Sequence, residues 1–146
     1  VTFLDGDVIR NHLTSELGFS KEHRDLNVAR VGYVASEITK HGGIAICSLV
    51  SPYRQARDKA REQVEQYGRF VEVHVATPVE VCEKRDVKGM YKQARQGLIK
   101  NFTGVDDPYE VPEHAEIVLA AGEGTPEEHA QTVINYLETS GALLRL

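Results

Sequence analysis

Four short apolar, β-branched runs, at residues 1–4, 43–50, 70–77 and 116–120, recur along this 146-residue chain, and helix-like stretches separate them. That alternation constrains the fold more than any single residue does. Strand-length runs divided by helix-length segments specify parallel strands joined by crossovers. The second and third runs are almost continuously apolar, the pattern expected where helices cover both faces of a strand. The expected fold is α/β, an open parallel sheet flanked by helices, in one domain over residues 1–146.

The helices carry their own signals. Ser20 is placed to cap a helix running to about residue 41, with Val28, Val31, Ala35 and Ile38 on one apolar stripe and Gly42-Gly43 as its stop. A second helix is expected after Pro52, ending near Gly68, with Arg57, Lys59, Arg61 and Glu62 on its wet side. The last has the clearest start: Thr125 and Glu128 form a capping-box pattern around Pro126. Its expected core face is Ala130, Val133, Ile134 and Leu137, Gly141 closes it, and the tail from Gly141 reads as a domain end. Residues 83–109 break the pattern with cations, glycines and few core positions. They read as a mobile flap containing one short helix, near residues 91–96.

Charge and cysteine usage exclude several classes. With 17 Lys and Arg against 22 Asp and Glu, the net charge of −5 offers no global basic field for a nucleic acid or a membrane surface. The longest apolar run, residues 44–50, is too short to span a bilayer. Cys47 and Cys82 fall in stretches that read as a buried strand and a helix, so no disulfide framework is expected and a reducing, cytoplasmic setting is. The start, Val1-Thr2-Phe3-Leu4, reads as a strand rather than a leader.

Ligands in open parallel sheets bind beyond the carboxyl ends of the strands, and Asp5-Gly6-Asp7, Ser51-Pro52-Tyr53 and Thr77-Pro78 lie there. Asp5 and Asp7 suit a hydrated Mg²⁺ or a proton acceptor; the alternative is a turn in which Asp7 caps the next helix. Arg10, one turn on, either pairs with Asp7 or faces an anion beside it. Arg24 and Asn27 share a helix face away from the apolar stripe, a solvated face by default, and Phe19 at the helix entrance reads as a hydrophobic staple or a contact residue. From Glu83 to Lys92, and on through Arg95, Lys100 and Phe102, cations and aromatics alternate as they do in loops that grip nucleotides. The six histidines show no ligand spacing.

These segments together resemble adenylylsulfate kinase, a P-loop kinase family. The matching stretches are Leu4-Asp5-Gly6-Asp7-Val8-Ile9-Arg10; Leu17-Gly18-Phe19-Ser20 with Arg24 and Asn27; Ser51-Pro52-Tyr53-Arg54; Thr77-Pro78 with Cys82-Glu83; residues 85–92; and residues 100–110. They run in family order across nearly the whole chain. The resemblance implies a P-loop NTPase-like kinase that uses ATP and Mg²⁺ to phosphorylate the 3′-hydroxyl of adenosine 5′-phosphosulfate (APS), giving PAPS. It makes Asp5 and Asp7 the acidic pair near Mg²⁺ and the acceptor hydroxyl, with Asp7 orienting or deprotonating that hydroxyl and ligating the metal. Arg10, Arg24 and Asn27 become APS contacts, and Phe19 and Phe102 a clamp on its adenine. Ser51 falls at the substrate site, Lys88 over the phosphates, and Arg85 on the ATP adenine, with residues 83–109 as a basic lid. A homodimer, and fusion to or association with an ATP sulfurylase, are the implied partners.

One part of the family pattern is missing. No Gly-x-x-x-x-Gly-Lys-Ser/Thr loop occurs in these residues, and the family places a strand, that loop and a helix ahead of Asp5-Gly6-Asp7. The chain is therefore expected to be part of a longer polypeptide, with kinase activity that needs the upstream loop. The other readings are a non-catalytic APS- or PAPS-binding regulatory domain of an ATP sulfurylase, an inactive fragment of the kinase, and a gluconate- or shikimate-type kinase, the last disfavoured by a Phe19/Phe102 pair that a sugar would not need.

Overall fold

The computed structural model describes residues 1–120, 122 and 124–143. They form two compact units, Val1–Phe70 with Ala94–Val111 and Val71–Gln93 with the described part of 112–146.

In the first unit, β1 (Thr2–Asp5) runs directly into α1 (Gly6–His12), followed by α2 (Lys21–Lys40), β2 (Ala45–Ser48) and α3 (Arg54–Glu65). β1 and β2 pair in parallel, with Leu4 opposite Cys47 and Asp5 opposite Ser48, so both strands end level. Ser20 caps α2, its hydroxyl accepting the His23 N–H at 3.3 Å, and Gly42 leaves the helix with φ 74°. The expected stripe is the core face: Val28, Val31 and Ala35 are buried and Ile38 packs beside them. They meet Leu4 of β1, Ile9 of α1, and Ala56, Ala60 and Val64 of α3. Gly32 makes that approach close, since a Cβ there would lie 2.8 Å from Gln63 Oε1 and 3.0 Å from Ala60 Cβ.

The opposite face of this ladder is bare. Phe3 and Ile46 are register partners and stand 62% and 52% exposed. Helices covering both faces were expected. In this unit the apolar cluster instead gathers on the Leu4 side, and Cys47 is not a buried strand residue.

In the second unit, β3 (Val73–Val75) and β4 (Ile117–Leu119) form another parallel pair, with α4 (Val79–Arg85), the first four residues of α5 (Met90–Arg95) and α6 (Pro126–Thr139). Ile117 and Leu119 are buried, whereas Val73, Val75 and Val118 are exposed. The capping box of α6 forms in full, the Thr125 hydroxyl accepting from Glu128 N and the Glu128 carboxylate from Thr125 N. Gly141 follows with φ 71°. The face of α6 departs from expectation: Val133 and Leu137 are half-buried, and Ala130 and Ile134 are exposed. A three-residue strand offers it only Ile117 and Leu119 as buried partners. Residues 83–109 hold the end of α4 and all of α5, more helix than the single short one expected. The end of the expected terminal tail, residues 144–146, lies outside the described residues. Among the described residues no helix is long and apolar enough to cross a membrane.

Gly32→Val should pry α2 from α3 and lower stability by about 1–3 kcal/mol, the usual cost of overpacking, read as a lower urea midpoint at unchanged slope. An unchanged midpoint would mean that the helix contact gives way freely.

Candidate active site

The level carboxyl ends of β1 and β2 bring the first acidic residues together. Asp5 closes β1 and caps α1, its Oδ1 accepting the Asp7 N–H at 3.0 Å and the Val8 N–H at 3.2 Å. The helix cap is thus Asp5, not Asp7, which sits exposed in the first turn. Gly6 lets the turn press onto the end of β2, since a Cβ there would stand 3.1 Å from the Ser48 carbonyl oxygen. Three residues beyond β2, Ser51 holds a left-handed φ of 43°. Such strain in a non-glycine residue persists only where surroundings enforce it. Here Arg57 Nη1 donates to the Ser51 carbonyl at 2.7 Å. Mg²⁺ takes one or two carboxylates and completes its shell with water and phosphate oxygens; Asp7 and the Asp5 oxygen not engaged by the amides are the carboxylate groups available at this turn.

The turn between α1 and α2 builds the second feature, a ring with two cations close to it. Arg10 reaches back from α1, its Nη1 donating to the carbonyls of Leu17 at 3.1 Å and Gly18 at 2.7 Å. Arg24, four residues into α2, donates from Nε to the Phe19 carbonyl at 3.0 Å. Their guanidinium carbons lie 4.8 Å and 5.4 Å from the centroid of the half-exposed Phe19 ring. In a hydrophobic staple an apolar residue sits where Arg24 does; a guanidinium takes that place. Burial, and next the charge of Arg24, push the Arg10 guanidinium below its ordinary value. Two cations crowding one ring form an environment that an anionic ligand relieves.

Arg24 and Asn27 do not form a solvated face. They are 9% and 6% exposed. Arg24 Nη2 donates at 2.7 Å to the carbonyl of Asn101, 77 positions away, which places the residue before Phe102 beside the helix that carries Phe19. The Phe102 loop is itself braced: Asn101 adopts φ 56°, and the Asp106 carboxylate accepts both the Phe102 N–H at 2.6 Å and the Asn101 N–H at 2.9 Å. Asn27 Oδ1 accepts from the buried Thr14 hydroxyl at 2.7 Å.

Arg10, Phe19, Arg24, Asn27, Ser51, Phe102, Asp5 and Asp7 therefore all fall in the first unit. Arg85 and Lys88 belong to the second. Both are exposed, Arg85 ending α4 and Lys88 in the turn before α5. Asp86 between them, at φ 26°, accepts the N–H groups of Tyr91 at 2.9 Å and Lys92 at 3.0 Å.

A model of the adenylylsulphate kinase family matches residues 1–120 of this chain. The chain belongs to the adenylylsulfate kinase family. It is 50% identical over 143 residues to the adenylyl-sulfate kinase of Synechococcus sp. (strain JA-3-3Ab), a match covering 98% of this chain and 80% of the relative. It is 47% identical over 146 residues to the sulfate adenylyltransferase of Phaeosphaeria nodorum, covering all of this chain and 25% of that much longer protein. Among solved structures, the Mycobacterium tuberculosis APS kinase CysC in complex with AMPPNP and APS superposes with a TM-score of 0.90 at 38% identity, covering 94% of this chain and 80% of that one.

Within this adenylylsulfate kinase fold, four residues escape a reading by motif. Arg57, expected on the wet side of α3, is 9% exposed, and its Nη2 donates to the Glu110 carbonyl at 2.6 Å. Tyr53, 4% exposed, donates its hydroxyl to Asp107 Oδ2 at 2.6 Å. Burial first, then that bond, push the phenol up to about 12, so it stays a donor at any physiological pH. With Asp106 and Asp107 these residues fasten residues 101–110 to the start of α3. Their signal was the density of carboxylates after Gly104 facing Tyr53-Arg54 in the same matching segments.

The Phe102 and Asn101 amides hold the Asp106 carboxyl below its ordinary value. Its bracing of the loop is complete above the ordinary carboxylate value of about 3.9 and is lost as pH falls through the lower, folded value. The Phe102 amide proton resonance should therefore titrate with a midpoint below that of a free aspartate, and Asp106→Asn should abolish the transition. A midpoint at or above the ordinary value would contradict the bracing.

Proposed function

We propose that this chain carries the acceptor-nucleotide half of an adenylylsulfate kinase site, serving ATP-dependent phosphorylation of the 3′-hydroxyl of adenosine 5′-phosphosulfate to give PAPS and ADP. The observation that supports it most is the Phe19 ring with both Arg10 and Arg24 close to it, and the Phe102 loop tied to the same Arg24. A purine with an anionic tail needs that combination. Phe19 and Phe102 stack on the adenine, worth about 0.5–1.5 kcal/mol beyond buried area. Arg10 and Arg24 face the phosphosulfate, and Asn27 offers its amide to the nucleotide. A sugar acid would use the cations and leave the rings idle.

Asp7, exposed at the start of α1, takes the proton of the 3′-hydroxyl as its oxygen bonds to the γ-phosphorus and the bond to the β-phosphate oxygen breaks. Asp5 holds the turn that presents it. Asp7 is also the residue that would hold Mg²⁺, with Asp5 beside it; the ion supplies charge neutralisation on the phosphates. Ser51, in the turn that follows β2, serves the substrate side of the same strand ends. Arg85 and Lys88 serve ATP, at its adenine and its phosphates, from a basic lid over residues 83–109. Turnover on this reading needs a cradle for the β- and γ-phosphates that these 146 residues do not contain. A cytoplasmic setting, self-association as a homodimer, and fusion to or association with an ATP sulfurylase complete the proposal. The last is supported by the match to a quarter of the Phaeosphaeria sulfate adenylyltransferase.

Calorimetric titration of the folded chain with APS should show saturable binding. Binding of gluconate or shikimate in its place, with none of APS, would overturn the assignment. In a phosphoryl-transfer assay on the polypeptide that includes the phosphate cradle, Asp7→Asn should remove most turnover while APS affinity stays within about twofold, the split expected of a group acting in the transition state. Unchanged turnover would remove Asp7 from the chemistry. Phe102→Ala should weaken APS by about tenfold, on the scale of base–aromatic stacking, and leave ATP affinity nearly untouched. An equal loss for both nucleotides would misplace the clamp.

A further inference from the structure

Thr14 is the most deeply buried polar residue described, at 0% exposure, and no step above uses it. It follows the C-cap of α1, where its N–H donates to the Ile9 carbonyl at 3.0 Å and its own carbonyl accepts from Leu17 N at 3.0 Å. Its hydroxyl lies 3.4 Å from the Ile9 carbonyl and 2.7 Å from Asn27 Oδ1. The hydroxyl has one proton, and the shorter contact takes it.

That bond has a consequence at the other end of the amide. An asparagine side chain presents an acceptor on one side and two donors on the other, and nothing in its shape decides which faces where. With Oδ1 fixed on Thr14, Nδ2 is turned away from α1. Asn27 is 6% exposed, and its Nδ2 donates to no side chain or carbonyl among the described residues. Nδ2 is not among the enclosed side-chain atoms that lack a partner, so it keeps access to solvent, the side from which a ligand would reach it. Arg24 precedes Asn27 by three positions and so shares its helix face.

We propose that Thr14 is a positioning residue for the acceptor nucleotide: its hydroxyl sets the orientation of the Asn27 amide so that Nδ2 presents its two N–H groups to an acceptor atom of APS. This rests on the reading of the Arg10–Phe19–Arg24 site given above. Thr14 touches no ligand; it acts through Asn27. Valine has the shape of threonine without the hydroxyl, so Thr14→Val leaves the amide free to turn its oxygen toward the ligand, where an acceptor would meet an acceptor.

Calorimetric titration of the full chain with APS tests this. Wild type should bind, Thr14→Val should bind about tenfold more weakly, or ~1.4 kcal/mol, and Thr14→Ser should recover to within about twofold of wild type. The decisive readout is coupling. In an Asn27→Ala background, Thr14→Val should change APS affinity by less than about twofold, because the residue it orients is gone. A Thr14→Val loss of the same size in both backgrounds, or no loss in the wild-type background, overturns the proposal. If Thr14→Val does not fold, the wild-type chain decides by the resonances of the Asn27 side-chain amide. They should shift on saturation with APS, and their indifference overturns the proposal. A folded wild-type chain that binds no APS would instead remove the acceptor-site reading, and the role of Thr14 with it.

Discussion

The guanidinium of Arg24 is the interaction on which the arrangement of the first unit turns. Burying a cation to 9% exposure is expensive unless its donors are engaged. Arg24 engages them on backbone carbonyls from two distant segments, Phe19 at the mouth of α2 and Asn101 at the start of the aromatic loop. The planar fork of arginine can donate in two directions at once; a lysine ammonium on the same stem could hold one carbonyl but not set the spacing between two. The nearest carboxylate, Asp107, stands 3.9 Å from Nε, close enough to offset charge and too far to absorb the donor. The charge is thus balanced without being quenched.

What holds Asn101 within reach of Arg24 is a second layer that does not touch the candidate ligand region. Tyr53 grips Asp107, Arg57 grips the Glu110 carbonyl, and the Glu110 carboxylate accepts the Arg54 N–H at 2.6 Å while its own N–H donates to the Pro52 carbonyl at 2.8 Å. These bonds join residues 51–57 to residues 107–110. Ser51, where that splice begins, and Asn101, in the loop that leads into it, are the two strained non-glycine residues of the unit. Each has a neighbour that over-determines it: Arg57 on the Ser51 carbonyl, and Asp106 with Arg24 on the two sides of Asn101. Strain of about 1–3 kcal/mol per residue is sustainable under such restraint.

Much of this was legible in the sequence where the cause is local. The Ser20 and Thr125 caps, the Val28–Val31–Ala35 stripe and the four strands follow from spacing and from side chains that act within one turn. The faces were less legible. Arg24, Asn27 and Arg57 look like surface residues because helical periodicity ranks a face only by its apolar content, and their partners lie in residues 14 and 101–110. The same rule overstated α6, whose Ala130 and Ile134 have the right spacing but only a three-residue strand to cover. It overstated the strand runs as well, since apolarity on both sides of Phe3 and Ile46 says that a face tolerates burial without saying what buries it. Asp5, Asp7, Arg10, Arg24, Asn27 and Phe19 stood out from their positions, and their specific roles came from the family resemblance; the roles of Tyr53, Asp106 and Asp107 as braces came only from geometry.

The division of labour between carboxylates and cations in the first unit follows from the backbone geometry. Asp5 is consumed by the amides of α1, so the acidic pair is unequal: one member fixes the turn and the other, Asp7, is presented. The cations are unequal in the same way. Arg24 is spent on joining segments, whereas Arg10 commits one nitrogen, Nη1, to the carbonyls that shape the Phe19 turn. Arg10 thus commits less of its fork to backbone carbonyls, and burial first, then the charge of Arg24, lowers its basicity. On the proposed reading both arginines face the phosphosulfate, and Arg24 in addition ties together the segments that carry Phe19 and Phe102.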